Sequence, residues 1–157
     1  MSRKVIYLFL ALLLPGIIFV FLRKFGKNEF NIPVYYQTGV EDPGACGTYP
    51  VPYRVPDSVM QVIRNDNKPV LVVVDTTAEV KRNLTRLRNE LNDSFSISYP
   101  GPNNAWALWQ DCVFIMRKPW IAVLIDTQGQ IRGYYAPSTR EEADRLLVEM
   151  RILLKQY

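Results

Sequence analysis

The sequence has no histidine and only two cysteines among its 157 residues. Histidine is the commonest metal ligand and the commonest general base near neutral pH. Its absence excludes a His-ligated haem, Ser-His-Asp and Cys-His catalysis, and any zinc site that uses imidazole. Two cysteines are too few for an all-cysteine zinc site or an iron–sulfur cluster. Acidic residues are missing from the start of the chain: none precedes Glu29, whereas Arg3, Lys4, Arg23, Lys24 and Lys27 supply five of the 19 basic groups. From Asn28 onward 14 basic residues face 15 acidic ones, so the net charge of +4 belongs to the first 27 residues. A nearly neutral body creates no general phosphate-attracting field, which argues against nucleic-acid binding.

What is present begins with an uncharged run, Val5 to Leu22. As a helix rising 1.5 Å per residue it reaches roughly 27 Å, close to the thickness of a bilayer's hydrocarbon core. This predicts an N-terminal membrane anchor over residues 1–27, with Pro15-Gly16 tolerated inside it. A cleaved signal peptide shares the basic start and apolar run. Against cleavage, Arg23-Lys24-Phe25 follows Leu22 in place of an Ala-x-Ala-like site. Basic residues flank both ends, so the positive-inside count is almost tied.

Residues 28–157 are expected to form one domain, opened by an irregular arm over 28–56. Pro33, Pro43, Pro50, Pro52 and Pro56 break any periodic pattern there, yet Tyr35, Tyr36, Tyr49 and Tyr53 suit a segment that packs on the domain. Asp57-Ser58 predicts a short helix to about Asn65. The β-branched run Val70–Asp75 reads as a central strand covered on both faces. Thr76 and Glu79 form a capping-box pattern for a helix whose apolar face carries Val80, Leu84, Leu87 and Leu91. Its opposite face, with Lys81, Arg82, Arg86 and Arg88, reads as solvated.

Phe95–Tyr99 predicts a second strand, parallel to the first because a helix bridges them. Gly101–Gln110 is a loop or short helix displaying Trp106 and Trp109, two rings that suit packing on the sheet better than a ligand site. Cys112–Met116 and Trp120–Asp126 read as two further strands. A turn at Asp126–Gly129 then leads into Ile131–Tyr135 as a hairpin. A final helix is expected behind a Ser138/Glu141 capping box, with an apolar stripe from Ala143 to Leu154. Asp75 and Asp126 each end a strand; a carboxylate pair at one end of the sheet is one reading, and separate cap and turn duties are the other. The order β-α-β then β-β-α predicts an α/β, thioredoxin-like mixed sheet flanked by helices, preceded by one transmembrane helix.

The segment Val123–Tyr157 resembles the end of Sco/SenC proteins, thioredoxin-fold copper chaperones of cytochrome c oxidase assembly. The resemblance is carried by Asp126, Gly129, Ile131, Arg132, Gly133 and Tyr135, followed by an amphipathic helix. The front half, with KFGKNEFNIPVYY and CGTYPVPYRVPDS, looks like a Bacteroidetes-type branch of that family. The resemblance implies a bacterial cytoplasmic-membrane protein with its domain on the periplasmic side, and respiratory oxidase subunits or assembly factors as partners. Pro119, just before the Trp120 strand, stands roughly where thioredoxins carry a cis proline. The family's Cys-x-x-x-Cys pair after the first strand is replaced here by Asp75-Thr76-Thr77-Ala78-Glu79-Val80, and its distal His has no counterpart, so neither ligand carries over. The resemblance therefore suggests a non-catalytic accessory protein.

Cys46 and Cys112 leave three readings open. They could form a structural disulfide that pins the arm to the sheet. They could be two thiolate ligands for Cu(I), with Met60 or Met116 adding a thioether, or serve thiol-redox exchange. They could also be unpaired.

Overall fold

The computed structural model of the chain describes residues 4, 13–21, 31–64, 66–99, 101 and 105–155. The chain divides into two compact units, Met1–Asn31 and Ile32–Tyr157. In the first, residues 13–21 are helical and expose their apolar side chains. The rest of the predicted anchor Val5–Leu22, residues 5–12 and 22, lies outside the described residues. Among those described, no helix is long and apolar enough to cross a membrane.

The second unit is a mixed α/β domain. Its elements are α1 (Asp57–Ile63), β1 (Val70–Val73), α2 (Ala78–Glu90), β2 (Ser96–Ser98), α3 (Ala105–Cys112), β3 (Ala122–Ile125), β4 (Ile131–Tyr135) and α4 (Arg140–Leu153). The four strands form one sheet in the order β2-β1-β3-β4. β1 runs parallel to β2 and antiparallel to β3, and β3 runs antiparallel to β4.

The period-2 alternation of β1 sorts the core into two layers. Leu71 and Val73 point to one face with Ala122, Leu124 and Tyr135, where α2 supplies Val80, Leu84 and Leu87 and α4 supplies Leu146 and Met150. Val70 and Val72 point to the other with Val123 and Ile125, where α1 supplies Val59, Met60 and Ile63. That second face is only partly covered by helix. The remainder is closed by Tyr53 and Val55 of the arm and by Phe114–Met116. Pro-rich chain unable to form a helix or strand thus still buries aromatic surface, which explains the arm's composition.

Several local expectations are corrected. Cys112–Met116 is not a strand: Cys112 ends α3, and Val113 and Phe114 both donate their amides to the Trp109 carbonyl, at 2.9 and 2.7 Å. The chain curls round the helix end, with Ile115 at φ +51°. Its apolar run is explained by burial as a plug on the sheet face, since Phe114 and Met116 are at most 1% exposed. The Thr76/Glu79 box does not form. Thr77 is the N-cap of α2 without a side-chain cap bond, and Asp75 Oδ1 accepts the Thr77 amide at 2.9 Å. For α4 the cap lies one residue later than expected. Thr139 Oγ1, not Ser138, accepts the Glu142 amide at 3.3 Å. The Lys118–Pro119 peptide is cis.

The β3–β4 hairpin assigns a physical duty to each residue of the Asp126–Tyr135 pattern. Asp126, buried at 7% exposure, accepts the Gln128 and Gln130 amides at 2.9 Å each and pairs with Arg132 at 3.4 Å. Gly129 sits at φ +76°, and a Cβ there would press on the Val55 carbonyl at 3.3 Å. Arg132 also donates to the Ile32 carbonyl at 2.7 Å. Gly133 lies beneath the Tyr135 ring, which occupies the space a Cβ would need. Tyr135 is wholly buried and donates to Glu149 at 2.5 Å, so it has little room to retreat. Gly133→Ala is therefore expected to destabilise the fold by about 2 kcal/mol through overpacking. Urea unfolding followed by far-UV circular dichroism measures this, and a loss below about 0.5 kcal/mol would show that the ring repacks freely.

Candidate functional site

The two cysteines meet. A single 3-10 turn, Gly44–Cys46, brings Cys46 against the last residue of α3, and Cys46 and Cys112 form a disulfide with Cα atoms 5.2 Å apart. Of the three readings open in the sequence, the bonded pair is the one found. The bond joins the arm to the 112–117 segment rather than lying in the β1–α2 loop. Met60 and Met116 are buried in the core layer against the sheet, where both act as packing residues. Among the described residues no group of three or more cysteines and carboxylates could hold a metal ion. While the disulfide is closed neither sulfur is a free thiolate donor.

Asp75 and Asp126 do not form a pair. Antiparallel β1 and β3 align Val70 with Ile125 and Val73 with Ala122, which puts Asp75 and Asp126 at opposite ends of the sheet. Each performs the local cap or turn duty given above. Trp106 and Trp109 pack on each other, with centroids 5.4 Å apart, and against the core beside Phe114. On the basic face of α2, Arg86 pairs with Asp144, and Arg88 with Asp93 at 2.8 Å.

The feature that sequence reasoning did not assemble is a tyrosine-walled cleft where the arm meets the 112–117 segment. The arm is fixed by backbone bonds: the Tyr35 amide donates to Ile131 O at 2.9 Å, and the Tyr53 amide to Tyr36 O at 3.1 Å. Its tyrosines then touch edge to face in a continuous series. Centroid distances are 5.4 Å for Tyr134–Tyr35, 6.0 Å for Tyr35–Tyr36, 6.3 Å for Tyr36–Tyr53 and 5.1 Å for Tyr53–Tyr49. Three of their hydroxyls satisfy three consecutive carbonyls of the curled segment. Tyr49 donates to Cys112 O at 2.9 Å, Tyr53 to Val113 O at 2.7 Å and Tyr134 to Phe114 O at 2.7 Å. Such carbonyls, buried without a ladder partner, would otherwise cost about 1–3 kcal/mol each.

Burial pushes the Tyr53 and Tyr134 phenols well above the ordinary tyrosine value, with neighbouring phenols adding to the effect, and burial also raises Tyr49. These hydroxyls therefore remain neutral donors and have no capacity as bases near pH 7. At the mouth, Arg117 donates to Asp42 Oδ2 at 2.7 Å and to Asp42 O at 2.6 Å. The Arg117 hydrogen bond and charge hold the Asp42 carboxyl below its usual range, and Asp42 raises Arg117 in return.

The cleft has a volume of about 480 Å³, and Tyr35, Tyr36, Trp120, Tyr134 and Ile115 supply its apolar lining. No nucleophile–base pair stands among these lining residues. The arm's tyrosine content was a visible signal. What sequence could not supply was that Arg117, 75 positions from Asp42, and Tyr134, 98 positions from Tyr36, complete the same wall together with Trp120. No protein-family model matches the chain, and no curated protein is significantly similar to it.

Proposed function

We propose that this chain is a thioredoxin-like accessory protein of the Sco/SenC type, anchored through Val5–Leu22 with its domain on the periplasmic side, acting as a non-catalytic scaffold in respiratory oxidase assembly. The strand order β2-β1-β3-β4, with a helix bridging the parallel pair and an antiparallel hairpin leading into the last helix, is consistent with the thioredoxin-like arrangement. The observation that carries the scaffold reading is the Cys46–Cys112 disulfide. It spends both thiols on tying the arm to α3, while the β1–α2 loop offers only hydroxyls and carboxylates where the resembled family holds its ligands. A scaffold needs a fixed surface, and the pinned arm supplies one. The second reading, a Cu(I) chaperone or thiol-redox protein, is favoured by one fact alone: the sulfurs are neighbours, so reduction would free an adjacent dithiol.

Two measurements separate these readings. In a Cu(I) competition titration of the fully reduced full chain against a chromophoric chelator, the expected result is no ion retained above background. One tightly held ion per chain, abolished by Cys46→Ser, would replace the scaffold with a copper carrier. Deleting the gene in its host is expected to lower assembled oxidase, and a Cys46→Ser/Cys112→Ser chain supplied at matched folded levels is expected to restore it. Unchanged oxidase activity and copper loading after deletion would overturn the assembly role altogether.

A further inference from the structure

The tyrosine cleft carries more order than packing requires. Five non-glycine residues have positive φ among those described. Asn92, Asp93 and Lys155 follow helix ends, where left-handed residues are ordinary. The other two, Tyr36 at φ +58° and Ile115 at φ +51°, both line the cleft. Bulky and β-branched side chains pay for that conformation, and such strain persists where the surroundings enforce it, commonly at ligand sites. A glycine would relieve the backbone at Tyr36, whereas the tyrosine present puts an aromatic ring at that point of the wall.

The walls meet at steep angles. The Tyr35 ring stands at 90° to Tyr134 and at 60° to Tyr36, so the three rings form a corner and not a flat stack. Tyr35 is 39% exposed, which leaves ring surface open to a visitor. The charged residues lining the cleft are Glu41, Asp42 and Arg117. Arg117 spends two donors on Asp42, which leaves the carboxylate of Glu41 as the unmatched charge; among the described residues it has no ionic partner. The chain's own Arg145, which pairs with Glu142 and Glu149 on α4, has its guanidinium 5.7 Å from the Trp120 centroid and 4.9 Å from that of Tyr135, whose ring belongs to the opposite face of the sheet.

We propose that this cleft is a binding site for an organic cation, a guanidinium or alkylammonium head held against the tyrosine rings with Glu41 as its counter-ion. Aromatic faces attract cations through the ring quadrupole, most strongly when the cation is shed of water, and a concave corner removes more water than one flat ring. Because Trp120 is engaged by Arg145, the three tyrosines carry the attraction. An anion is disfavoured because the Arg117 charge is already matched by the Asp42 carboxylate, which leaves Glu41 to set the sign at the mouth. The site requires neither copper nor an oxidase partner, so it stands apart from the function proposed above.

The test is calorimetric titration of the oxidised full chain, in non-ionic detergent at low salt. The probes are tetramethylammonium chloride and N-acetyl-Gly-Arg-Gly-amide, beside their uncharged counterparts neopentanol and N-acetyl-Gly-citrulline-Gly-amide, with sodium acetate as the anion. Saturable one-to-one binding of at least one cation is expected, about tenfold or more tighter than its uncharged counterpart. Tighter binding of tetramethylammonium would identify a free quaternary cation as the source of the head group, and tighter binding of the peptide a basic side chain of a partner protein. Tyr35→Leu is expected to weaken binding about tenfold. Since that variant could disturb the arm, Glu41→Gln, at an exposed position, provides a second one and is expected to weaken cation binding severalfold without moving the melting temperature. Absence of saturable binding by either cation, equal binding of the uncharged counterparts, or acetate binding strengthened by Glu41→Gln would overturn the proposal.

Discussion

Replacing both cysteines by serine is expected to cost about 4 kcal/mol of stability. The bond links residues 66 positions apart. On the chain-entropy model a loop of that length, released in the unfolded state, gains about 4 kcal/mol of conformational freedom at 25 °C. For a domain of this size that corresponds to a melting temperature lower by roughly 15 °C. The native arm need not detach, because the Tyr35 and Val55 amides remain bonded to the hairpin carbonyls of Ile131 and Gly129, each at 2.9 Å. The effect should therefore show in unfolding thermodynamics more than in the native spectrum. Urea unfolding of the oxidised chain, the reduced chain and the Cys46→Ser/Cys112→Ser variant measures it. The last two should coincide, and the variant should ignore added reductant. A loss under about 1 kcal/mol would mean that the denatured arm is already held near α3, or that the tyrosine series alone fixes it.

The same arm shows where sequence stops being legible. Its prolines and tyrosines revealed a segment that is irregular yet packed, because those signals are local and compositional. The two-layer core was legible for a similar reason: the continuous, largely β-branched run Val70–Val73, apolar on both faces, and the i, i+4 stripe of α2 are short-range patterns. Phe114–Met116 read as a strand because burial, not ladder pairing, selects apolar residues there. The carbonyls of Cys112, Val113 and Phe114 find tyrosine hydroxyls from Tyr49, Tyr53 and Tyr134, partners between 20 and 63 positions away. The cleft depends on the same long-range closure. Arg117 meets Asp42 across 75 positions, and no period or motif encodes that meeting. Asp75 and Asp126 failed as a pair for an equally simple reason, since reversing one strand sends its end to the far edge of the sheet.

The pattern from Asp126 to Tyr135, which carried the family resemblance, is accounted for by hairpin physics, and its strongest test is Asp126→Ala. This substitution is expected to cost about 3–5 kcal/mol, the range found when one member of a buried ion pair is removed. Three losses combine. The Gln128 and Gln130 amides lose their shared acceptor, and Arg132, 14% exposed at its side chain, loses the carboxylate facing it. Asp126→Asn can keep the acceptor oxygen while losing the charge, so it should fall between the wild type and alanine. Adding Arg132→Met to Asp126→Asn should recover part of the loss, because the uncompensated buried charge is then gone. Thermal unfolding of these chains, with Arg132→Met alone completing the double-mutant cycle, measures each step. An alanine cost below about 1 kcal/mol would show the hairpin to be held by its strands alone. The consequence for function follows from connectivity. Tyr134 stands on β4, and the Tyr35 amide bonds to Ile131, so the hairpin that Asp126 secures also positions two walls of the cleft.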